Sequence, residues 1–355
     1  MYRKALIPLS LLIACSMLLA ACGGAAAPPS DGAEPQVSGH GEILAAVQDR
    51  GSLVCGGRTD LPGFGFLDED GGNSGFDIDL CRAVAAAVLG DANAVEFVNL
   101  TAAERGPALQ TGEVDLLARN VTWTSTRDAQ WGNFTWIMFY DGQGFIVPAD
   151  SGIESADDLD GATVCVTSGT TTELNLSDFF RQRGMDFEAV VFEDTATVYG
   201  TYEEGRCDAA TSDRSQLAAV RTGFADPSAH VILDITISKE PLTPAVPAGD
   251  DQWFDIVKIV MFALINAEEL GVTQANVEEM KSSDNIEIRR MLGVEGDWGQ
   301  ADLGLDADAI ARAIAAVGNY GEIYDRYLGP DALNIPRGPN ALGINGGLLY
   351  APPLR

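Results

Sequence analysis

The chain is poor in positive charge and in histidine, and both shortages narrow the functions it can have. Its 355 residues include 22 lysines and arginines against 52 aspartates and glutamates, so the formal net charge is −30. A surface so acidic repels polyanions, which argues against nucleic acid or an anionic membrane face as a partner. Only His40 and His230 are histidines, and no Cys-x-x-Cys occurs. The sequence therefore predicts no metal site, no cofactor and no histidine-based catalytic triad.

Long apolar runs are also scarce, and the clearest one stands near the N-terminus. Two basic residues precede an apolar stretch over 5–19, which is shorter than the roughly 20 residues of a membrane-spanning helix. The small residues of Leu19-Ala20-Ala21-Cys22 follow, and this arrangement resembles a bacterial lipoprotein signal in which Cys22 becomes the lipidated first residue. The alternative is an uncleaved membrane anchor with an incidental cysteine. It fits less well, because 23–40 is small, polar and proline-containing, as a tether is.

Strand-like and helix-like segments alternate along the rest of the chain. In the first half, the patterns predict strands over 51–57, 94–100 and 114–118, and helices over 76–89 and 102–112. After a helix start at Asp157, they predict strands over 162–167, 187–192 and 208–212, and helices over 172–183 and 197–205. This β-α-β-α order argues for mainly parallel sheets with helices on both faces. Because the order restarts, we expect two similar lobes.

Two extended stretches, 140–148 and 239–247, are predicted to cross between the lobes and to act as a hinge. Three prolines stiffen the second crossing, and a strong helix over 252–270 then returns to the first lobe. The predicted organisation is a signal peptide over 1–21, a tether over 22–43, the first lobe over 44–142, the second lobe over 143–240, and the return to the first lobe with a C-terminal extension over 241–355.

Four cysteines remain after the signal peptide and the lipidated Cys22 are set aside, and they lie in an oxidising compartment. They are Cys55, Cys81, Cys165 and Cys207. Four cysteines allow three pairings. We prefer Cys55 with Cys81 and Cys165 with Cys207, because each pair then falls inside one predicted lobe.

Seven segments carry a resemblance to a known family. They are 75–83, 115–124, 140–145, 169–175, 205–215, 249–255 and 317–323. In this order they resemble the periplasmic amino-acid-binding proteins of ABC importers, solute-binding protein family 3, and most closely its general L-amino-acid-binding branch. The resemblance implies the α/β, two-lobed periplasmic-binding-protein fold, in which each lobe is a mainly parallel sheet flanked by helices and two extended hinge crossings join them.

The resemblance also implies a function and its partners. The protein would be a monomer without catalytic residues, which captures an L-amino acid between its closing lobes and delivers it to the permease subunits of an ABC transporter. It would lie in the periplasm or at the outer face of the cytoplasmic membrane, touching the membrane only through its lipid anchor.

Carried onto single residues, the resemblance assigns the ligand's α-carboxylate to Arg127 as a two-pronged ion pair. An isolated arginine is more often a solvated surface residue, but the spacing of Arg127 from Asn120 and Thr122 favours binding. Thr122 would offer its hydroxyl and backbone N–H to the same headgroup, and Asn120 would lie beside it at the end of a strand. Open α/β sheets bind ligands at this end of their strands.

Three residues of the second lobe complete the predicted headgroup site. Thr170 and Thr171 stand between a strand and a helix, where backbone N–H groups point toward an anion. The same threonines, placed before Glu173, also resemble a helix cap, and both roles can hold together. Asp213, at the end of another strand, would accept the α-ammonium.

Two arginines predict the chemical character of the ligand's side chain. Arg58 and Arg105 stand where related glutamate/aspartate-binding proteins carry arginines, so acidic ligands are favoured. The second-lobe histidine of those proteins is absent, and 194–195 occupies its place. Alternatively, Arg58 turns outward to pair with Asp60 or Asp68 and leaves a pocket of broad specificity.

Phe64 and Trp123 are candidates for the pocket wall, although core packing is the commoner role of such residues.

Two other classes of protein use this fold. The first is a periplasmic enzyme such as a cyclohexadienyl dehydratase, in which Glu173 or Asp60 would be the general acid. The second, a murein-cleaving relative, needs a lysozyme-like domain for which the sequence has no room. The binding protein is favoured because the headgroup residues are complete and no additional acid stands out.

Overall fold

The structure is a computed structural model that describes residues 41–355. The predicted signal peptide, the lipidation site Cys22 and most of the predicted tether lie outside the described residues. Within 41–355, none of the helices has the length and apolar character needed to cross a bilayer.

The described part of the chain contains fifteen strands and twelve α-helices. The strands are β1 (Leu53–Gly57), β2 (Asp60–Leu61), β3 (Gly65–Leu67), β4 (Asn73–Ser74), β5 (Val95–Asn99), β6 (Leu116–Leu117), β7 (Asn133–Phe134), β8 (Phe139–Asp141), β9 (Gln143–Pro148), β10 (Ala162–Thr167), β11 (Phe187–Phe192), β12 (Ala209–Asp213), β13 (His230–Ile232), β14 (Glu240–Leu242) and β15 (Ala245–Val246). The helices are α1 (Glu42–Arg50), α2 (Phe76–Leu89), α3 (Arg105–Thr111), α4 (Ser125–Gln130), α5 (Thr171–Arg183), α6 (Thr195–Glu203), α7 (Arg214–Arg221), α8 (Asp251–Glu269), α9 (Val277–Met280), α10 (Ile286–Met291), α11 (Ala309–Val317) and α12 (Tyr320–Tyr327).

The first lobe is built on a five-stranded sheet in the order β5-β1-β6-β15-β7. Strand β1 runs parallel to β5 and β6, whereas β15 runs antiparallel to β6 and β7. Successive residues of β1 point to opposite faces. Leu53 and Cys55 therefore join the large core under α2, α8 and α11, while Val54 joins a smaller core under α3. Helices thus cover both faces, as predicted.

The second lobe repeats this plan in the order β11-β10-β12-β9-β13. Strands β10, β11 and β12 are parallel, and β9 pairs antiparallel with β12 and β13. On one face, Val164 and Val166 pack under α5, and on the other Cys165 packs under α6 and α7. The predicted two-lobed α/β fold is therefore confirmed.

The hinge consists of β8 and β14, which pair antiparallel to each other between the two large sheets. Strand β8 leads into β9 of the second lobe, and β14 leads back to β15 of the first. The C-terminal segment is tied to this hinge. The side chain of Asn340 accepts a hydrogen bond from the Tyr140 N–H at 2.6 Å and donates one to the Tyr140 carbonyl at 3.1 Å. The residue boundaries predicted for the lobes remain a prediction.

Both predicted disulfides are present. Cys55–Cys81 joins β1 to α2, and Cys165–Cys207 joins β10 to the loop before β12. Their Cα atoms lie 6.4 Å and 5.8 Å apart, within the range that a disulfide spans. Each lobe therefore carries one internal cross-link.

Candidate functional site

A narrow cleft lies between the carboxyl ends of the parallel strands of the two lobes. The first lobe lines it with Arg58, Arg105, Arg119, Asn120, Thr122 and Arg127. The second lobe lines it with Thr170, Thr171, Thr195, Ser212, Asp213 and Gln216. Eight of the ten residues predicted for ligand binding are therefore brought together, and the two aromatic residues are not.

The lobes are closed on this cleft. Arg58 of the first lobe donates from Nη2 to Thr195 Oγ1 at 2.9 Å and from Nη1 to Gln216 Oε1 at 3.1 Å. The hydroxyl oxygens of Thr122 and Thr171 also meet across the cleft, 3.3 Å apart. The cavity volume between the walls is only about 30 Å³. A ligand can therefore enter only when the lobes separate.

A larger cavity of about 920 Å³ lies beside the hinge and the C-terminal segment. Its lining is mostly apolar, and the guanidinium of Arg214 there already donates to the carbonyls of Leu233 and Ile235 at 2.6 Å and 2.7 Å. We therefore place the candidate site in the smaller cleft, where four buried guanidinium groups converge with a buried carboxylate.

Arg127 is buried, which excludes the solvated surface arginine considered above. Thr124 caps the short helix α4 by accepting from the Arg127 N–H at 3.2 Å, and this places the guanidinium at the cleft. Its Nη1 donates to the Thr122 carbonyl at 3.0 Å, and its Cζ lies 4.7 Å from the ring centre of Trp131. Burial lowers the pKa of Arg127, while Glu240 and Asp213 oppose this effect. Among the described residues, its Nε and Nη2 have no acceptor, so both can serve a bound carboxylate.

Asn120 turns the chain into the cleft. Its φ of +35° lies in the left-handed region, which asparagine tolerates better than most residues. Its N–H donates to the Asp77 carboxylate at 2.7 Å, and its side-chain oxygen accepts from Arg58 at 3.2 Å. Burial raises the pKa of Asp77 to about 7, and the hydrogen bond from Asn120 opposes that rise. Asp77 therefore holds the backbone of Asn120 in place without lining the cleft itself.

Thr170 caps helix α5, so the helix-cap alternative describes its side chain correctly. Its hydroxyl oxygen accepts from the Glu173 N–H at 3.1 Å, and its hydroxyl hydrogen is donated to the Thr167 carbonyl at 2.7 Å. Thr171 is the first residue of the helix, and its hydroxyl donates to Glu240 at 2.7 Å. The N-terminus of this 13-residue helix also opens on the cleft, where its partial positive charge suits an anion.

Asp213 is a buried carboxylate without a hydrogen-bond donor among the described residues. It ends β12, and the residue is 5% exposed. Burial and the neighbouring Asp141 and Glu240 raise its pKa well above the ordinary value, while Arg105 and Arg127 oppose this rise. A buried carboxylate is costly without a partner. An ammonium group in the cleft would supply that partner.

Arg58 combines features of both alternatives considered above. Its Nε donates to Asp60 at 2.7 Å, yet its side chain is only 2% exposed and its two terminal nitrogens point into the cleft. Asp68 is not its partner, because that carboxylate accepts from the N–H groups of Asp70 and Gly72. The alternative of an outward turn is therefore wrong, although the pairing with Asp60 that it included is present.

Arg105 and Arg119 add two more buried guanidinium groups to the first-lobe wall. Arg105 Nε donates to the Ala102 carbonyl at 2.9 Å, and Arg119 Nε donates to the Leu100 carbonyl at 2.6 Å. Burial and the nearby arginines lower the pKa of Arg105 well below its ordinary value, and burial together with Arg58 lowers that of Arg119 to about 9. Such crowding of like charges is relieved by an anion.

Phe64 and Trp123 do not line the cleft. Phe64 is fully buried in the first-lobe core, where its ring packs edge-on against Phe139 at 5.5 Å. Trp123 stacks on Phe134, with ring centres 6.2 Å apart, on the α3 side of the sheet. Both side chains pack on apolar neighbours instead, so the predicted pocket role of these two residues is wrong.

Sequence reasoning missed five residues that build the site. They are Arg119, Trp131, Thr195, Gln216 and Glu240. For Trp131 a signal exists, because it stands four residues after Arg127 and such residues share a helix face. Gly106 makes room for its ring, since a Cβ at that glycine would come within 2.6 Å of it. Thr195 stands in the segment that replaces the second-lobe histidine of the related proteins, which was a signal, and the other three carry no local pattern.

The two acids considered for an enzyme do not have the properties of a general acid in this cleft. Glu173 accepts from the Gly169 N–H at 2.9 Å beside the helix cap. Although burial acts to raise it, the pKa of Asp60 is held below its ordinary value by Arg58. Asp60 is therefore not poised to donate a proton, and the Glu173 carboxylate is engaged by the backbone at the helix cap.

Two α/β lobes, a paired-strand hinge and a small enclosed cleft with charged walls define a two-lobed binding protein for small charged solutes. The chain belongs to the bacterial extracellular solute-binding proteins, family 3, whose model matches residues 53–330. This confirms the predicted family, and the chain is accordingly a solute-binding protein and not an enzyme.

Individual relatives cover nearly the whole chain. The general L-amino acid-binding periplasmic protein AapJ of Rhizobium johnstonii is 51% identical over 315 residues, which are 88% of this chain and 92% of that protein. The glutamate/glutamine/aspartate/asparagine-binding protein BztA of Rhodobacter capsulatus is 48% identical over 88% of this chain and 93% of its own length. An ABC transporter periplasmic binding protein from Brucella ovis, solved with glutathione bound, is 50% identical with a TM-score of 0.87, over 89% of this chain and 100% of that chain.

Proposed function

We propose that this protein captures L-amino acids outside the cytoplasm and delivers them to the permease of an ABC importer. The observation that carries the proposal is the pairing of Arg127, with two unused donor nitrogens, and Asp213, with no donor, in one closed cleft. A carboxylate and an ammonium on the same carbon satisfy both groups together. The amino-acid-binding relatives support this reading.

Acidic amino acids and their amides are the favoured ligands. After Arg127 takes the α-carboxylate, Arg58, Arg105 and Arg119 leave the first-lobe wall with excess positive charge. A second carboxylate would gain charge-assisted hydrogen bonds there. The carboxamide of a glutamine or asparagine ligand would find the polar side chains of Asn120, Thr195 and Gln216. The ligands in the name of BztA are consistent with this preference.

Glutathione is a second candidate because it also carries one ammonium and two carboxylates, and the Brucella ovis protein was solved with it bound. The excess of guanidinium groups suits it. The closed cleft, with a volume of about 30 Å³, is too small for either ligand, so the lobes must separate for both, and a tripeptide would hold them farther apart than a single amino acid.

We further propose that the protein acts as a monomer in the periplasm or at the outer face of the cytoplasmic membrane, anchored through a lipid on Cys22. The support is the sequence of residues 1–22 and the extracytoplasmic family.

A thermal-shift screen of the purified protein against twenty L-amino acids and glutathione tests the function. A ligand that binds only the folded state stabilises it by RT ln(1 + [L]/Kd), about 2.7 kcal/mol at 100 Kd. We expect glutamate, aspartate and their amides to give the largest shifts, and Arg127→Ala to abolish them. If no amino acid raises the melting temperature of the wild type, the proposal fails, and a shift with glutathione alone would select the second candidate.

A further inference from the structure

Glu240 is a buried carboxylate at the start of hinge strand β14, and only 1% of it is exposed. Its Oε2 accepts from the hydroxyls of Thr122 at 2.6 Å and Thr171 at 2.7 Å. Its Oε1 accepts from Asn175 Nδ2 at 2.8 Å and from the hydroxyl of Ser238. No lysine or arginine of the described residues forms an ion pair with it. Four neutral donors therefore satisfy this carboxylate.

The donor and acceptor roles of the two threonine hydroxyls are fixed as a result. A hydroxyl carries one hydrogen and two lone pairs, whereas a carboxylate can only accept. With their hydrogens donated to Glu240, Thr122 and Thr171 can offer only lone pairs elsewhere. Both residues line the cleft. Toward a ligand, their hydroxyl oxygens are therefore acceptors.

This polarity changes the role expected for Thr122. An acceptor cannot bind the α-carboxylate, which is left to Arg127 and to backbone N–H groups. An acceptor can bind the α-ammonium, and Asp213 lines the same narrow cavity as the threonines. We infer that Glu240 is a positioning residue that orients Thr122 and Thr171 to accept hydrogen bonds from the ligand's ammonium. The inference rests on the proposed function.

Glu240 also links this arrangement to closure. Thr122 is held to the hinge strand from both sides, because the Trp123 N–H donates to the Pro241 carbonyl and the Thr243 N–H to the Val121 carbonyl, each at 2.9 Å. Thr171, in contrast, belongs to helix α5 of the second lobe. The paired acceptors are therefore assembled only when α5 closes onto Glu240.

The test compares L-glutamate with glutarate, which is the same molecule without its amino group, by calorimetric titration and displacement. In the wild type we expect L-glutamate to bind more tightly. In Thr122→Val the preference should fall about tenfold, since one charge-assisted hydrogen bond is lost, while the affinity for glutarate stays unchanged. Glu240→Met frees the hydroxyls to rotate and should reduce the same preference.

Three variants are matched controls. Glu240→Gln keeps an acceptor oxygen for the threonines, Thr122→Ser keeps the hydroxyl, and Asn175→Ala removes a donor to Glu240 without touching either threonine. We expect each to retain the wild-type preference for the amino group. If Glu240→Met does not fold, as melting without ligand will show, Thr122→Val against Thr122→Ser decides.

The outcomes separate the inference from the function it rests on. If Thr122→Val weakens the binding of L-glutamate and of glutarate equally, the hydroxyl serves a carboxylate. The inference is then overturned, while the proposed function stands. If a folded Glu240→Met retains the full preference, the inference is likewise overturned. If the wild type binds neither L-glutamate nor any other amino acid, the proposed function falls, and the inference with it.

Discussion

The two walls of the cleft differ in charge. The first lobe contributes four buried guanidinium groups, from Arg58, Arg105, Arg119 and Arg127, whereas the second contributes hydroxyls, a helix N-terminus and the carboxylate of Asp213. An amino acid has a matching polarity. Under the proposed function, the first-lobe guanidinium groups and the second-lobe helix N-terminus serve the ligand's carboxylates, and the carboxylate of Asp213 serves its ammonium.

The walls also differ in what supports them. Two of the first-lobe arginines lie against Trp131, which packs on the smaller core of that lobe, with its ring centre 4.7 Å from Arg127 Cζ and 5.9 Å from Arg105 Cζ. The second-lobe groups stand at the starts of helices α5, α6 and α7, over smaller cores. The two walls are therefore supported differently, by an aromatic ring beneath guanidinium groups in one and by helix N-termini in the other.

The largest effect is expected from breaking the positive wall at Arg127. In Arg127→Ala, the ligand's carboxylate would be enclosed without its partner, and the loss of binding free energy should be about 2–5 kcal/mol. Calorimetric titration of the wild type and the variant measures it. Arg127→Lys keeps the charge without the two-pronged geometry and should bind between the two. Unchanged affinity in Arg127→Ala would remove Arg127 from the site.

The disulfides allow the two lobes to be compared for stability. Loss of either cross-link should lower the free energy of unfolding by roughly 2–4 kcal/mol. The loop in the second lobe is longer, 42 residues against 26, and the core there is smaller. We therefore expect the larger loss in the Cys165→Ala/Cys207→Ala double variant than in Cys55→Ala/Cys81→Ala. Urea unfolding measures both, and equal midpoints for wild type and variants would contradict this.

Much of the fold follows from local sequence patterns. The predicted helix over 76–89 coincides with α2, and the predicted strand over 162–167 coincides with β10, because each has a clear hydrophobic period bounded by glycine or by polar residues. Helix α11 is not among the predicted elements, although Ile310, Ile314 and Val317 have helical spacing. The small sheet β2-β3-β4 has strands of two or three residues, too short for a period.

Fewer of the site residues could be predicted from the sequence, because some of them meet only in the folded and closed protein. Arg127, Asn120 and Thr122 stand on one short segment, so their proximity follows from spacing. Arg58 and Gln216, in contrast, are 158 residues apart and meet only because two lobes close. Glu240 is one acid among 52 acidic residues, and nothing local marks it as buried. Contacts that form only when the lobes close join residues far apart in the sequence, so no single segment predicts them.

Specificity should shift by a smaller amount when the positive wall is weakened at Arg58. Arg58→Asn removes one guanidinium near the predicted side-chain pocket, so L-glutamate should lose about 1.5–3 kcal/mol of binding free energy, whereas L-leucine should lose little. A calorimetric panel of both ligands on both proteins measures the difference. Equal affinities for glutamate and leucine in the wild type, unchanged in the variant, would show that Arg58 does not read the side chain.

The last effect concerns the support of the first-lobe wall and depends on pH. Burial raises the pKa of Asp77 to about 7, from 3.8 in the unfolded chain. Between these values the folded protein holds a proton that the unfolded chain has released, so the free energy of unfolding falls as pH rises, by at most about 1.4 kcal/mol per pH unit. Below pH 3.8 both states bind the proton, so Asp77 adds no pH dependence. Above pH 7 both states have released it, and the whole loss in the free energy of unfolding remains.

Asp77→Asn removes this titration while keeping an oxygen that can accept from the Asn120 N–H. Because Asp141, whose pKa burial raises to about 6, titrates in the same window, the quantity to follow is the difference between variant and wild type. Urea unfolding at pH 4 and pH 8 should show Asp77→Asn gaining stability relative to the wild type as pH rises. A difference that stays constant over this range, or that reverses, would mean that the Asp77 carboxyl group is not held in its protonated form by burial beneath the cleft.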